Sequence, residues 1–294
     1  MSHRSGFVAL AGRPNAGKST LVNRLVGERV VAVSDRPQTT RRRALGVVAG
    51  EDFQLVLVDL PGFQRPFDRL TERMQRAVDE TLGDADAVVL VLNAREGAGE
   101  GDRFVARRVF AEGAPPCVIA LNKVDLLKPP AIAERIAEAA ELGPFHALHP
   151  ISALTGDGVG PLMADLVGLL PEGPAFFPPG VVSDQSLEQR IAEIIREAAL
   201  ERTRQELPHA IAVVVEEVLP ARRGAAVVRA AVLCETRSQK AILVGKGGEV
   251  VKAIGTAARP EIERLLESPV HLDLSIRAQP HWRRDESALD RLGV

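Results

Sequence analysis

Apolar residues between residues 7 and 171 fall into two alternating patterns. Short, β-branched blocks at residues 7–11, 54–59, 87–92 and 117–121 have the length and composition of buried strands. Residues 18–26, 70–82 and 131–141 instead repeat their apolar positions at helical spacing. This alternation predicts an α/β fold with a mostly parallel, doubly wound sheet covered by helices on both faces. Residues 170–180 read LPEGPAFFPPG, too rich in Pro and Gly to continue a helix, and a domain boundary is expected there. Beyond it, Ser186 and Gln189 have capping-box spacing, and Leu187, Ile191, Ile194, Ile195, Ala198 and Ala199 predict a helix. Residues 211–218 and 225–233 read as a hairpin of two strands. Helical periodicity returns at Val250, Val251 and Ile254 and again at Ile262, Leu265 and Leu266, interrupted by Pro260. The alternation of Val270, Leu272, Leu274 and Ile276 predicts a last strand, while residues 241–244 fit strand or helix equally. The expected division is a first domain at 1–172, a linker at 173–183, a smaller α+β domain at 184–280 and a tail at 281–294.

The composition, 46% hydrophobic and 26% charged over 294 residues, is globular and permits a core in both parts. No apolar stretch precedes the first strand or reaches membrane-spanning length, so a cytoplasmic protein is expected. Cys117 and Cys234 sit in separate apolar runs far from any metal-ligand spacing, which argues for two buried thiols and against a zinc site or disulfide. The net charge of -2 gives no global basic signal. Any nucleic-acid site must therefore come from local clustering.

Chemistry first appears at Gly12-Arg13-Pro14-Asn15-Ala16-Gly17-Lys18-Ser19, a G-x-x-x-x-G-K-[ST] loop that follows a predicted strand and opens a predicted helix, with Thr20 next. Its glycines let backbone amides turn toward phosphate oxygens, Lys18 can reach the outer phosphates, and the Ser19 hydroxyl can ligate Mg²⁺. Asp59-Leu60-Pro61-Gly62 closes another predicted strand, where the Asp59 carboxylate can serve the metal and the Gly62 amide a γ-phosphate. Asn122-Lys123-Val124-Asp125 closes a third. A carboxylate at Asp125 can accept both N1–H and the exocyclic amino group of guanine, donors that adenine cannot offer as a pair, while the Lys123 stem packs on the ring. Ser152-Ala153-Leu154 can supply a backbone amide to the guanine carbonyl. Between the first two motifs, residues 34–43 (SDRPQTTRRR) are polar and aperiodic, as a switch loop would be, and either Thr39 or Thr40 can complete the Mg²⁺ shell while γ-phosphate is present. Arg41 to Arg43 read equally as a solvated basic face or as an RNA contact.

In their order and spacing these motifs resemble the GTPase superfamily over about residues 6–170. Similarity to relatives favours Thr40 as the metal ligand. Further on, Gly245-Lys246-Gly247-Gly248 is a G-x-x-G loop within the helix, strand, strand, helix, loop, helix, strand order of a type II KH domain, a single-strand RNA binder. By that analogy residues 241–244 are helical. Lys240, Lys246 and Lys252, with Arg237 and Arg259, face only Glu249 in this stretch, so the neutral domain carries a local basic patch. Together PNAGKSTL, QTTR, NKVD and SQKAILVGKGG resemble the Era family of bacterial ribosome-assembly GTPases over nearly the whole chain. The resemblance implies GTP/GDP and Mg²⁺ as ligands, the 3′ end of small-subunit ribosomal RNA as partner, a role in maturing the small ribosomal subunit, and loose peripheral association with the inner face of the cell membrane. A monomer is expected. Leu60 stands where relatives have Thr, and Pro260 where relatives continue a helix. Trp282 reads as a packing anchor ahead of a base-stacking platform. Phe63 stands where many small GTPases carry a water-orienting Gln, so the charge developing between β- and γ-phosphates needs another source of stabilisation; Asn15, which relatives use to ligate K⁺, is the candidate. Two other readings remain open, a KH fold that docks protein and a metabolic phosphotransferase; the latter lacks a separate acceptor-substrate domain.

Overall fold

A computed structural model of the chain describes residues 3–33, 40–63, 66–203, 210–220 and 224–292. These fall into two compact units, one built from most of the chain up to Asp184 and the other from Gln185 onward together with Ala32, Val33 and Phe67–Leu70.

The first unit orders its elements as β1 (Arg4–Ala11), α1 (Lys18–Val26), β2 (Ala44–Ala49), β3 (Phe53–Asp59), α2 (Arg69–Asp84), β4 (Ala87–Asn93), α3 (Glu100–Val109), β5 (Cys117–Asn122), α4 (Pro129–Ala140), β6 (Ala147–Pro150) and α5 (Val159–Leu169). The sheet order is β2-β3-β1-β4-β5-β6, with β2 antiparallel to β3 and every other pair parallel. Successive residues of β1 serve opposite cores: Val8 and Leu10 join the one holding Leu21 and Leu162, Ala9 and Ala11 the one holding Val105 and Ile119. Burial on both faces is why the strands read as unbroken apolar runs. The doubly wound class expected from the sequence is observed. β2, α3 and α5 were not anticipated. β2 pairs as an antiparallel edge, a choice made by its partner β3 and not by its own periodicity.

Residues 173–184 pack against this unit. The Gln54 side chain donates to Phe177 O at 2.9 Å and accepts from the Phe176 and Phe177 amides, and Val47 N–H reaches Val182 O at 2.9 Å. Its polar backbone is thus satisfied by the sheet edge.

In the second unit the order is α6 (Leu187–Glu201), β7 (Ala212–Leu219), β8 (Ala226–Cys234), α7 (Arg237–Val244), α8 (Glu249–Leu266), β9 (Val270–Ala278) and α9 (Glu286–Leu292). The sheet runs β7-β8-β9, antiparallel then parallel, and Ile191, Ile195, Ile254, Ala258 and Ile262 of α6 and α8 share a core with Val228 and Val232. Ser186 caps α6 reciprocally with Gln189, and Thr236 caps α7 with Gln239 in the same way. The second cap starts the helix that residues 241–244 complete. The interruption expected at Pro260 does not occur, because α8 continues through it. Pro260 is on the exposed side, while Ile254, Ala258 and Ile262 hold the helix to the sheet. Trp282 is fully buried and its indole N–H donates to Ala210 O at 3.1 Å, so it is a packing anchor and offers no face to a base.

Candidate functional site

The loop between β1 and α1 is shaped by backbone that only glycine tolerates. A Cβ on Gly12 (φ +153°) would lie 2.5 Å from Val91 O, and one on Gly17 (φ +102°) 2.1 Å from Asn122 Nδ2. Asn15, exposed at the loop's tip, also has positive φ, 63°. Lys18 is buried, its ammonium donating to Gly12 O at 3.1 Å and Arg13 O at 3.0 Å. Burial lowers its pKa to about 8 despite the opposing pull of Asp59. Arg13 points away from this charge, pairing with Glu96 and the buried Asp102 at 3.2 Å each. Pro14 packs against Gly62, where a Cβ would come within 2.8 Å.

Three oxygen donors converge beside Lys18. Ser19 Oγ donates to Asp59 Oδ2 at 2.7 Å, Thr40 Oγ1 donates to the same atom at 3.2 Å, and the two hydroxyls are 3.1 Å apart. Hard oxygen ligands from one carboxylate and two hydroxyls, with the remaining positions left to phosphate and water, suit Mg²⁺. Thr39 and residues 34–38 of the expected switch loop lie outside the described residues. Arg41 is buried and Arg43 exposed, so this run is not one uniform solvated face. Thr20 is half-buried in the first turn of α1.

Next to the loop, Asn122 works as a brace. Its Nδ2 donates to Ala16 O and its Oδ1 accepts from Ala153 N–H, both at 2.9 Å, so one buried amide ties the phosphate loop to the 152–154 loop. Lys123, at φ 68°, donates from Nζ to Asn15 O at 2.8 Å. Asp125 stands exposed on the short helical turn Val124–Leu126. Ser152 is fully buried, accepting from Thr155 N–H at 3.1 Å on its hydroxyl, and Leu154 is 70% exposed. Sequence reasoning had offered the whole tripeptide as donor; the Ala153 amide is already engaged by Asn122. Phe63 is buried in the core against α3, with the Arg108 guanidinium 5.9 Å above its ring. Leu60 is fully buried in the same core.

The second unit holds a groove of about 700 Å³ lined by Arg237, Lys240, Ala241, Val244, Gly245, Arg277 and Ala278. Gly245 turns the chain out of α7, and a Cβ there would meet Val250 Cγ2 at 2.6 Å. Lys246, Gly247 and Gly248 continue the turn, with φ 62° at Gly247 and 85° at Gly248 and nothing within 4 Å of a Cβ on Gly247. Lys246 and Gly247 are exposed, as is Lys252 on α8, which lies outside the groove's lining. Arg277 was missed by sequence reasoning. It follows the inward Ile276 on β9, so the strand's alternation turns it to the opposite face, where it pairs with Glu216 at 2.5 and 2.9 Å.

Cys117 and Cys234 are buried, and burial pushes the Cys117 thiol up to about 12, which makes it inert. Among the described residues no cluster of His, Cys, Asp and Glu could hold a metal, and no helix is long and apolar enough to cross a membrane.

Residues 7–123 match the family profile described as 50S ribosome-binding GTPase, and residues 206–283 match the KH domain. The chain is 46% identical to GTPase Era of Nocardioides sp. (strain ATCC BAA-499 / JS614), covering 99% of this chain and 96% of that protein. It is 44% identical to GTPase Era of Mycobacterium tuberculosis (strain ATCC 25177 / H37Ra), covering 98% of each. Among solved structures it is similar to Era in complex with MgGDPNP and nucleotides 1506–1542 of 16S ribosomal RNA, with TM-score 0.95, 34% identity and 99% of both chains covered. It is also similar to an Aquifex aeolicus Era variant bound to GDP and AlF4⁻, with TM-score 0.94 and 33% identity.

Proposed function

Because the chain belongs to the Era family of GTPases, we propose that it is a switch whose first unit binds and hydrolyses GTP while its second unit holds the 3′ segment of small-subunit ribosomal RNA during assembly of that subunit. The observation that carries this reading is a likeness over 99% of the chain to the structure of Era in complex with MgGDPNP and a 16S ribosomal RNA segment.

In this reading the amides from Gly12 to Ser19 cradle the phosphates and Lys18 neutralises the outer ones. Ser19, Thr40 and Asp59 would hold Mg²⁺, which when bound offsets negative charge on the phosphates. The Gly62 amide meets the γ-phosphate, and release of that phosphate frees the loop that carries Thr40. Asp125 reads guanine, Lys123 packs on its ring, and the 152–154 loop meets its 6-carbonyl. In the second unit Gly245 to Gly248 let the sugar–phosphate chain approach the backbone, and Lys240, Lys246 and Lys252 supply positive charge. By likeness to its family the protein is a cytoplasmic monomer that associates peripherally with the inner face of the cell membrane. Filter binding of a single-stranded oligonucleotide with the 3′-terminal sequence of small-subunit RNA, with GDPNP and with GDP, tests the function. Saturable binding that differs between nucleotides is expected. RNA affinity indistinguishable from that of an unrelated oligonucleotide would favour a KH fold that docks protein.

The burial of Phe63 supports a second element, that Asn15 ligates K⁺ where other GTPases insert an arginine. GTP turnover several-fold faster in K⁺ than in Na⁺ at equal ionic strength is expected, with the difference lost in Asn15→Ala. Equal rates in both salts move the search to RNA or a ribosomal protein as activator.

A further inference from the structure

Arg24 lies in the last turn of α1, two turns beyond Lys18, and has no part in the functions assigned above. Its side chain is directed at the loop after β6. Nε donates to Ala153 O at 3.0 Å and Nη2 donates to Leu154 O. These are consecutive carbonyls of the loop whose Ala153 amide is held by Asn122. The same guanidinium also lies 3.7 Å from where a Cβ on Gly156 would stand, so it spans the loop from Ala153 to Gly156.

The peptides here are trans, and in a trans peptide the C=O and the following N–H point in opposite directions. Drawing the Ala153 carbonyl toward α1 therefore turns the Leu154 N–H away from α1. The other polar groups of the loop are spoken for: Ser152 N–H donates to Asp157 O at 2.9 Å, Thr155 N–H to Ser152 Oγ at 3.1 Å and Gly156 N–H to Ser152 O at 2.8 Å. A fork of N–H donors fits two neighbouring carbonyls in a way that a lysine ammonium does not.

We propose that Arg24 is a positioning residue for base recognition: anchored on the helix that begins at the phosphate-binding lysine, it holds the Ala153 and Leu154 carbonyls so that the loop's amide side stands ready for the 6-carbonyl of guanine. This rests on the reading of the nucleotide site given above. It makes α1 a strut between the phosphate-reading and base-reading loops, in parallel with the Asn122 brace.

The test compares GTP with 6-thio-GTP, which keeps N1–H and the 2-amino group but carries sulfur, a weak acceptor, in place of the 6-oxygen. Arg24→Ala should weaken GTP about fivefold, the effect of freeing a loop that one part-buried and one exposed charge-assisted hydrogen bond hold in place. It should weaken 6-thio-GTP much less, so discrimination between the two nucleotides shrinks. In turnover the change should fall on KM more than on kcat, and Arg24→Lys should recover only part of it. Equal weakening of both nucleotides, or no weakening of either, would overturn the assignment of Arg24. Asp125→Asn in the same assay separates the two layers of argument, since its amide should shift preference toward xanthosine triphosphate. If Asp125→Asn shifts as expected and Arg24→Ala does not discriminate, only the role of Arg24 falls; if Asp125→Asn keeps its preference for GTP, the base reading falls and the role of Arg24 with it.

Discussion

Two glycine-dependent turns lie at the proposed nucleotide and RNA sites, and they are built by opposite means. In the phosphate loop of the first unit the space where side chains would stand is filled: Gly12 abuts Val91 O, Gly17 abuts Asn122, and Gly62 abuts Pro14. Hydrogen bonds from Lys18, Asn122 and Lys123 tie the same loop to itself and to β5. In the second unit only Gly245 is packed, and the turn at Gly247 opens to solvent. A loop that must present amides to a compact, highly charged phosphate gains from being rigid before the ligand arrives. A turn that admits a flexible polynucleotide backbone needs clearance above it, and its glycines serve by the side chains they lack.

The largest effect should come from filling that clearance with opposing charge. Changing Lys246 and Gly247 together to Asp should cost several kcal/mol of RNA affinity in filter binding while basal GTP hydrolysis stays near normal. Undiminished RNA affinity would make the turn a structural one. A paired alanine substitution sharpens the contrast. Gly17→Ala, strained in φ and colliding with Asn122, should lower GTP affinity on the order of a hundredfold, about 3 kcal/mol, in a fluorescent-nucleotide titration. Gly247→Ala meets no atom and faces only its positive φ, so RNA affinity should fall by about tenfold or less. Equal losses would erase the distinction between a packed and an open turn.

The smallest effect concerns protons. Lys18 in the free protein has its pKa lowered to about 8, so its burial costs stability fully below that pH. The cost is relieved as pH rises from about 8 toward the ordinary value of 10.5. A bound phosphate restores the charged form, so nucleotide binding should take up a fraction of one proton near pH 8.5, and GTP affinity should decline as pH rises further. Calorimetry in two buffers of different ionisation enthalpy measures that uptake. An enthalpy independent of buffer would mean that Lys18 is fully charged before nucleotide binds.

Much of this was legible in the residues alone. The strand ends at Ala11, Asp59 and Asn122, the helix over residues 18–26 and the Ser186–Gln189 capping box follow from local rules, because periodicity, caps and glycine demands are written within a few residues. The motif spacing likewise singled out Lys18, Ser19, Asp59 and Asn122, which the fold gathers at one end of the sheet. What folding added lies in contacts distant along the chain. Residues 241–244 had no distinguishing period, and β2 took its place from its pairing with β3. Pro260 reads locally as a break, yet the packing of Ile254, Ala258 and Ile262 carries α8 through it. The Asn122 brace, the burial of Phe63 under Arg108, Arg277 in the groove and the reach of Arg24 to Ala153 and Leu154 each join residues remote in sequence. A single chain states which groups are present and their local geometry; which groups meet is set by the sheet order and by the burial that makes that order stable.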